Sequence, residues 1–516
     1  MEYSTQGQTA AGRYAQLQSA RSTFDREAKE SSKLTIPSLI PESTTGTRAK
    51  IKTPFQAVGA RGVNSLASKL LFALLPPSTA FFKLSIDSLE LLKQGQEGLE
   101  TEIDKGLRTI ETALMNEIEI SNDRVAMFEA LKHLIVGGNV LLYLTDDGLK
   151  VYSLSKFVCK RDAVGNILEI ITQESIHPNA LPKDFLEQIK KKDNYDEKTM
   201  DSDLDIYTYV KRVNDDFLWY QECKGEKIPG TDGRSKVDVS PWITLRFVRI
   251  DGEDYGRGYV EEYRGDLISL ESLMQAIIEG AAASAKTLFL VNPNGVTRAA
   301  TLAKAPNGAI REGSAADISV MQVNKGADFQ VSFAAIQRIE SRLEYAFLMA
   351  RSVQRDAERV TAQEIRYMAE QLETAMGGIY SLLSQEFQLP LVAILMKRME
   401  QANEIPVLPK GTVQPTIITG IEALGRGNDL QKLREFVAEI GNLAQINPQV
   451  VQALNPDDLI KRIAIGLGID TDGLLKSPEQ LAQEAEAQAE QAEQQQVMQM
   501  AEKAVAPVAN NLSKPQ

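Results

Sequence analysis

The chain has 516 residues, with 57 Lys and Arg against 70 Asp and Glu and a formal net charge of −13. At roughly 150 residues per domain this length suggests about three folding units, and 43% apolar residues suffice for ordinary cores along most of it. The acidic balance disfavours a free-standing nucleic-acid binder unless cations are concentrated locally; two cysteines, Cys159 and Cys223, and two histidines, His133 and His177, exclude a disulfide framework and a multi-cysteine zinc site and leave little for histidine catalysis.

The opening segment has no apolar run of the secretory kind. From Gly12 to Lys33 the pattern is helical, with Tyr14, Leu17, Ala20 and Phe24 on one face; Pro37 and Pro41 end it. Pro54 opens a second helix, FQAVGARGVNSLASKLLFALL, stopped by Pro76-Pro77. Gly59 and Gly62 within it point to close backbone approach to a neighbour. Residues 97–137 read as helix, with His133 as a core or interface histidine.

At Gly137-Gly138 the pattern changes to strands. NVLLYL, LKVYSLSKFVCKR as one strand, ILEIITQESI, the pair DIYTYVKRV and DFLWYQEC, and WITLRFVRI are separated by Gly/Asn/Asp turns, as in a meander. His177 reads as a loop residue, and residues 182–203 as a charged, mobile connection. The longest clean apolar run, Leu134–Leu144, falls short of the ~20 residues that span a bilayer. A soluble protein made in a reducing cytoplasm, with no membrane partner, is expected.

After Gly258 the strands give way to a helix over 261–286, with a stripe of Leu267, Leu270, Leu273, Met274, Ile277 and Ile278. Residues 287–330 are short, punctuated and β-like. A second helix runs from Phe333 to about Met349, with Phe333, Ile336, Ile339, Leu343 and Phe347 along its seam. If the two helices pair antiparallel, the excursion between them is a small subdomain at the far end of a stalk. Its apolar stripes then need neighbours, which a ring of identical stalks would supply. Alternatively, both helices lie in a common core and the excursion is a surface hairpin. The polar stretch Arg351–Thr361 leads to AQEIRYMAEQLETAM; residues 379–401 are helical with a kink at Pro390. Only helix patterns remain from Asp429 to Leu475, followed by a Gln/Ala/Glu-rich tail read as partial helix and then disorder.

Phosphate-loop chemistry is absent: the glycine pairs at 225–230 and 308–313 are followed by Thr231 and Ser314, not by lysine. Gly256-Arg257-Gly258 lacks the third glycine of a dinucleotide fingerprint, Glu261 standing there instead. The best metal candidate is Asp251, Glu253 and Asp254 with Glu262, which follows a calcium-loop spacing except for Tyr255 at a ligand position. The competing reading is a turn plus acidic residues at a helix start. A carboxylate-metal hydrolase built on these four is therefore the alternative function.

Long segments resemble the portal (head-to-tail connector) proteins of short-tailed, podovirus-type bacteriophages. They are TPFQAVGARGVNSLASKL at 53–70, FEALKHLIVGGNVLLYL at 128–144, RDAVGNIL at 161–168, RIDGEDYGRGYVEEYRGDL at 249–267, ERVTAQEIRYMAEQLE at 358–373 and LSQEFQLPLV at 383–392, in order along most of 13–475. The resemblance implies an α+β protomer assembled as a ring, with an α/β wing at 13–260 and 362–428 and a two-helix stem at 261–286 and 333–350. It further implies a small β-containing clip at 287–332, a tunnel loop at 351–361, a helical crown at 429–476 and a tail at 477–516. It implies a non-enzymatic homododecamer at one capsid vertex of the virion, assembled in the host cytoplasm, passing double-stranded DNA in packaging and ejection. The implied partners are the terminase packaging motor, tail adaptor proteins, and major capsid and scaffolding proteins; no cofactor or metal is implied.

Twelve chains would give a ring charge on the order of −150, which keeps non-specific DNA association low, while screening over ~8–10 Å leaves only lining charges to act on the duplex. Arg351, Arg355 and Arg359, spaced i, i+4, i+8, would stack as cationic girdles if that stretch is helical. With Asp356 and Glu358 among them, a salt-bridged solvated face is the competing reading. Arg338 and Arg342 are a weaker pair of lining candidates, an intersubunit bridge to Glu271 or Glu279 being the alternative.

Overall fold

The computed structural model describes residues 9–42, 51–77, 80–86, 99–121, 123–193, 203–284, 288–306, 308–321, 326–349, 378–406, 415–419 and 426–446, with isolated helical residues between 367 and 376 and between 459 and 463. It divides into two units, residues 1–424 and 425–516.

Helix α1 spans Ala10–Leu34. Thr9 caps it through Gly12 N–H, and the buried Glu222 carboxylate accepts Ala10 N–H at 2.9 Å. Its buried face carries Tyr14, Leu17, Arg21 and Ala28; Arg21 donates to the Leu154 and Phe157 carbonyls. Helix α2 spans Val58–Leu74, starting four residues after Pro54 rather than at it. The reason is local: Phe55 and Gln56 donate their N–H groups to the Glu271 carboxylate, and Gln56 Oε1 accepts Gly59 N–H. Its inward face, Val63, Leu66, Ala67, Leu70 and Leu74, repeats every three or four residues and is fully buried. At ~1.5–3 kcal/mol per large apolar side chain, such a face is a main anchor of the core.

Strand β1 (Phe82–Ile86) precedes α3 (Leu99–Ile120) and α4 (Asp123–Gly137). The single run expected over 97–137 is two helices, because the Asp123 carboxylate turns aside to accept Leu149 N–H at 2.8 Å. β2 (Asn139–Thr145) and β3 (Gly148–Ser153) follow, then β4 (Phe157–Arg161) and β5 (Ile167–Ile176). The expected single strand LKVYSLSKFVCKR is thus β3 and β4, parted by a 3₁₀ turn at Leu154–Lys156, and the two belong to different sheets. Helix α5 (Lys183–Asp193) takes the place of the first part of the expected mobile connection, and residues 194–202 lie outside the described residues. Phe185 and Ile189, four apart, pack with Leu181 against Leu204, Ile206, Cys223 and Ile228.

β6 (Leu204–Val213), β7 (Asp216–Cys223), β8 (Glu226–Lys227), β9 (Gly233–Lys236) and β10 (Trp242–Arg246) complete this region. The meander is a six-stranded antiparallel sheet, β4-β5-β6-β7-β8 with β9 on β7; β10, β2 and β3 form a second sheet. A short turn of helix at Tyr259–Glu262 leads into α6 (Arg264–Ser284). β11 (Leu288–Val291) and β12 (Ile318–Met321) pair antiparallel, and α7 (Gly326–Ala346) returns. α7 begins seven residues before the expected Phe333.

Residues 379–401 form one apolar helical stretch: α-helical at Ile379–Leu383, π-helical at Ser384–Gln388, then α8 (Leu389–Gln401). Pro390, where a kink is expected, lacks an N–H, and the helix widens to π-helical turns over the five residues Ser384–Gln388 directly before α8. By length and composition this stretch could cross a membrane, yet 56% of its most apolar window is packed inside the protein. Tyr380 OH and Gln388 Nε2 donate to the Ala73 and Leu74 carbonyls, closing the end of α2. β13 (Pro415–Thr419) pairs with β1. In the second unit, α9 spans Arg426–Ile446; most of 447–516, including the expected tail, lies outside the described residues.

Candidate channel and docking hairpin

The hairpin made by α6 and α7 is rooted in a seam of glycines. Gly138 has φ +73°, and a Cβ there would lie 2.3 Å from the Arg257 carbonyl carbon; one at Gly258 would lie 2.5 Å from Val136 O. Only glycine permits such backbone contact. Asn139 locks the seam by donating to and accepting from the Gly256 main chain at 2.6 and 2.7 Å. The Gly-Gly and Gly-Arg-Gly motifs are therefore packing devices for each other.

Above the seam, Phe347 sits between Tyr259 and Tyr263, with ring centroids 5.7 and 5.8 Å away. Its ring lies against Gly62, where a Cβ would meet it at 2.7 Å; the expected close approach at Gly59 is likewise real, with Leu34 O at 2.6 Å. Tyr259 OH donates to Ala346 O, and burial drives this phenol well above its ordinary pKa. The end of α7 closes in a Schellman arrangement: Met349 N–H reaches Glu344 O and Leu348 N–H reaches Tyr345 O. Leu348, not glycine, occupies the left-handed position at φ +52°. Lys69 Nζ donates to Leu348 O, and burial pulls its pKa down.

The two helices run antiparallel. Arg342 near the end of α7 meets Asp266 near the start of α6 at 2.6 Å, while Phe329 near the start of α7 lies against Gly280 near the end of α6. Nearest the body, Leu267, Leu270, Ile336, Leu343 and Phe347 are buried in the main core. Farther out the coverage fails: Ile278 is 46% exposed, Val331 73% and Phe333 51%. Arg338 is exposed and has no ion-pair partner among the described residues. Glu271 binds the backbone ahead of α2 and Glu279 accepts from Gln275, so within the protomer both carboxylates are engaged. Arg351, Arg355 and Arg359 lie outside the described residues.

The far end is organised by Asp317, which sequence reading passed over although it stands directly before the apolar ISVM run. Its Oδ2 accepts the N–H groups of Thr297 and Val296 at 3.0 and 2.8 Å, and the Thr297 amide holds this carboxyl below the usual carboxylate range. Thr297 Oγ1 accepts Ser314 N–H and donates to Ser314 O. On this frame Ile310 is 99% and Val296 83% exposed, accompanied by the exposed cations Arg298, Lys304 and Arg311.

The proposed metal set does not assemble. Asp254 accepts Arg161 N–H and Lys160 Nζ at 2.8 Å each; Glu253 pairs with Arg257 at 3.0 Å; Asp251 and Glu262 are exposed. Tyr255, at the position wrong for a ligand, is buried and accepts Cys159 N–H. Among the described residues no group of three His, Cys, Asp or Glu is placed to hold a metal. The hydrolase alternative built on these four is therefore unsupported: Asp254 and Glu253 serve the strand-to-helix joint, and Asp251 and Glu262 stand exposed. Cys159 and Cys223 are both buried free thiols. His133 is buried, 3.9 Å from Glu129, and His177 Nδ1 accepts Asn179 N–H in a turn.

Residues 7–475 match the family model described as bacteriophage head to tail connecting protein. The chain is 44% identical to the portal protein of Escherichia phage T7 over 91% of its own length and 88% of that protein's. It is 45% identical to that of Enterobacteria phage T3, covering 91% and 89%, and 31% identical to that of Enterobacteria phage SP6, covering 95% and 94%. A chain from the neck of a native gene transfer agent particle overlays with a TM-score of only 0.34 at 13% identity, covering 77% of this chain and 90% of that one. A match along nearly the whole chain, at this identity, makes the protein a member of the bacteriophage head-to-tail connector family.

Proposed function

We propose that the protein is a phage portal: a ring of identical copies, twelve by analogy with the family, set at one capsid vertex as a passive channel for double-stranded DNA. The observation that carries this is the hairpin's outer half. Ile278, Val331 and Phe333 are left substantially exposed by the described residues of the protomer, and a copy of the same hairpin on either side would cover them. In this reading 13–260 and 362–428 form the wing, 261–286 and 333–350 the stem, 287–332 the clip, 351–361 the tunnel loop and 429–476 the crown. Arg351, Arg355 and Arg359, with Arg338 and Arg342, line the channel and meet phosphates without reading bases. The apolar, cationic far end is where the terminase motor and later the tail adaptors dock; capsid and scaffolding proteins surround the ring. Energy for packaging comes from the separate motor, since this chain lacks a phosphate loop.

Electron microscopy of the purified protein tests the proposal. Rings with an axial hole are expected, whereas a population of monomers and dimers at assembly concentrations would defeat it. Charge reversal at Arg355 and Arg359 is expected to leave rings intact and impair DNA packaging or retention; normal packaging would remove the lining assignment.

A further inference from the structure

The π-helical turn at Ser384–Gln388 has no cause in its own residues. SQEFQ contains neither glycine nor proline, and the segments on either side, Ile379–Leu383 and α8, are ordinary α-helix. Its signature is the Leu389 N–H, which bonds to Ser384 O five residues back instead of four. In that pattern the next bond would run from residue 390 to Gln385 O, and Pro390 has no N–H to make it. The turn thus contains one residue more than an α-helix would place there.

The spacing of the buried side chains shows what the extra residue does. Leu383, Phe387, Leu391, Leu395 and Met399 recur every four residues and are all buried. At about 100° per residue, four such steps carry a straight α-helical stripe about 160° around the axis, more than the ~100° width of one apolar face. One residue taken up without rotation returns about 100° and leaves ~60°, so both halves of the stretch face the same core. Within the turn, Gln385 is the exposed residue; Ser384, Phe387 and Gln388 are buried, and Glu386 is met by Arg246 at 3.3 Å. The widened turn is also incompletely satisfied: Ser384 Oγ and Gln388 Oε1 are buried without a hydrogen-bond partner among the described residues.

We infer that Gln385 is a spare residue and that the π turn is a conformational joint, opening on its own while α8 stays locked. α8 is the fixed side: Arg398 donates to the Leu144 and Thr145 carbonyls, and Leu391 and Val392 have no exposed surface. The joint combines a stretched ladder, a proline that withholds one bond and two unpaired polar atoms, the features that lower the cost of local opening. The inference does not depend on ring formation or on any role in carrying DNA.

Two measurements on the full-length protein test it. Deleting Gln385 lets the bond from Leu389 N–H to Ser384 O close as an α-helical one, with both flanks keeping their faces, so Tm is expected to move by no more than about 4 °C. Deleting Ala393, inside α8, turns Leu391 and Val392 by about 100° against Leu395 and Met399 and is expected to lower Tm by at least ~10 °C. Hydrogen exchange followed by mass spectrometry is expected to show the wild-type amides of 385–389 exchanging at least ~10-fold faster than those of 395–399, and slowing to the α8 rate once Gln385 is deleted. A Gln385 deletion as damaging as the Ala393 deletion overturns the spare residue. Wild-type amides at 385–389 as protected as those of α8 overturn the joint, and either result refutes the inference.

Discussion

The wedge of Phe347 against Gly62 fixes where the hairpin joins the body, and a double-mutant cycle measures it. Gly62→Ala would put a Cβ 2.7 Å from Phe347 Cγ and 2.9 Å from Cδ2. The ring has no exposed surface and is flanked by Tyr259 and Tyr263, so it cannot swing aside without displacing them. Overpacking of this kind costs about 1–3 kcal/mol, against a gain of about 1 kcal/mol for alanine over glycine inside a helix. A net loss of about 1 kcal/mol is expected. Phe347→Ala alone should cost about 3–5 kcal/mol by loss of contact and cavity formation. In that background the ring contacts are gone and only the Cβ of residue 347 remains, at 3.0 Å, so adding Gly62→Ala should be close to neutral. Urea midpoints followed by circular dichroism, with amide exchange over 336–347, would read the four corners of the cycle. Equal destabilisation by Gly62→Ala in both backgrounds would refute the wedge.

Three further outcomes are expected. Asp254→Ala should destabilise by about 1–3 kcal/mol through loss of the hydrogen bonds to Arg161 N–H and Lys160, while EDTA leaves the wild-type melting curve unmoved; a chelator-sensitive curve would revive a metal at 251–262. Burial opposes ionisation of Glu169, but hydrogen bonds from Arg13 and Tyr209 outweigh it and depress its folded pKa below 4.5. Its stabilising contribution is therefore full above the unfolded value and lost as pH falls through the lower folded value; Glu169→Gln should flatten the acid limb of the stability curve, and an unchanged limb would contradict the assignment. Asp317→Ala should speed amide exchange at Val296 and Thr297 and proteolysis within 292–317 without moving the main unfolding transition; unaltered exchange would show that the carboxylate does not hold this end together.

Periodicity exposed what is local. The stripe of α1, the meander and the two helices of the hairpin follow from spacing, and Gly59 and Gly62 announced close packing, whereas Gly137-Gly138 signalled only the change from helix to strand and gave no sign of the seam it forms. What stayed hidden depends on distant partners. β1 and β13 pair across more than three hundred residues with no turn between them, so neither short run signals the other. In LKVYSLSKFVCKR the alternation continues through Leu154, whose burial in a 3₁₀ turn sends the two halves to separate sheets. The lysines at 190–192 masked α5, whose i, i+4 pair Phe185 and Ile189 is the better guide. The acidic set at 251–262 misled because spacing cannot tell a ligand from a carboxylate occupied by neighbouring lysine, arginine and main-chain N–H groups.

The glycine seam at 138, 256 and 258 has a mechanical consequence. At 1.5 Å per residue, α6 is an arm about 31 Å long standing on that pivot. A lean of about 3° at the pivot would carry the far end sideways by roughly 1.6 Å over such an arm, nearly half a carbon–carbon contact distance. Backbone pressed on backbone leaves no side chain between the segments to give way, so a slender lever keeps its aim.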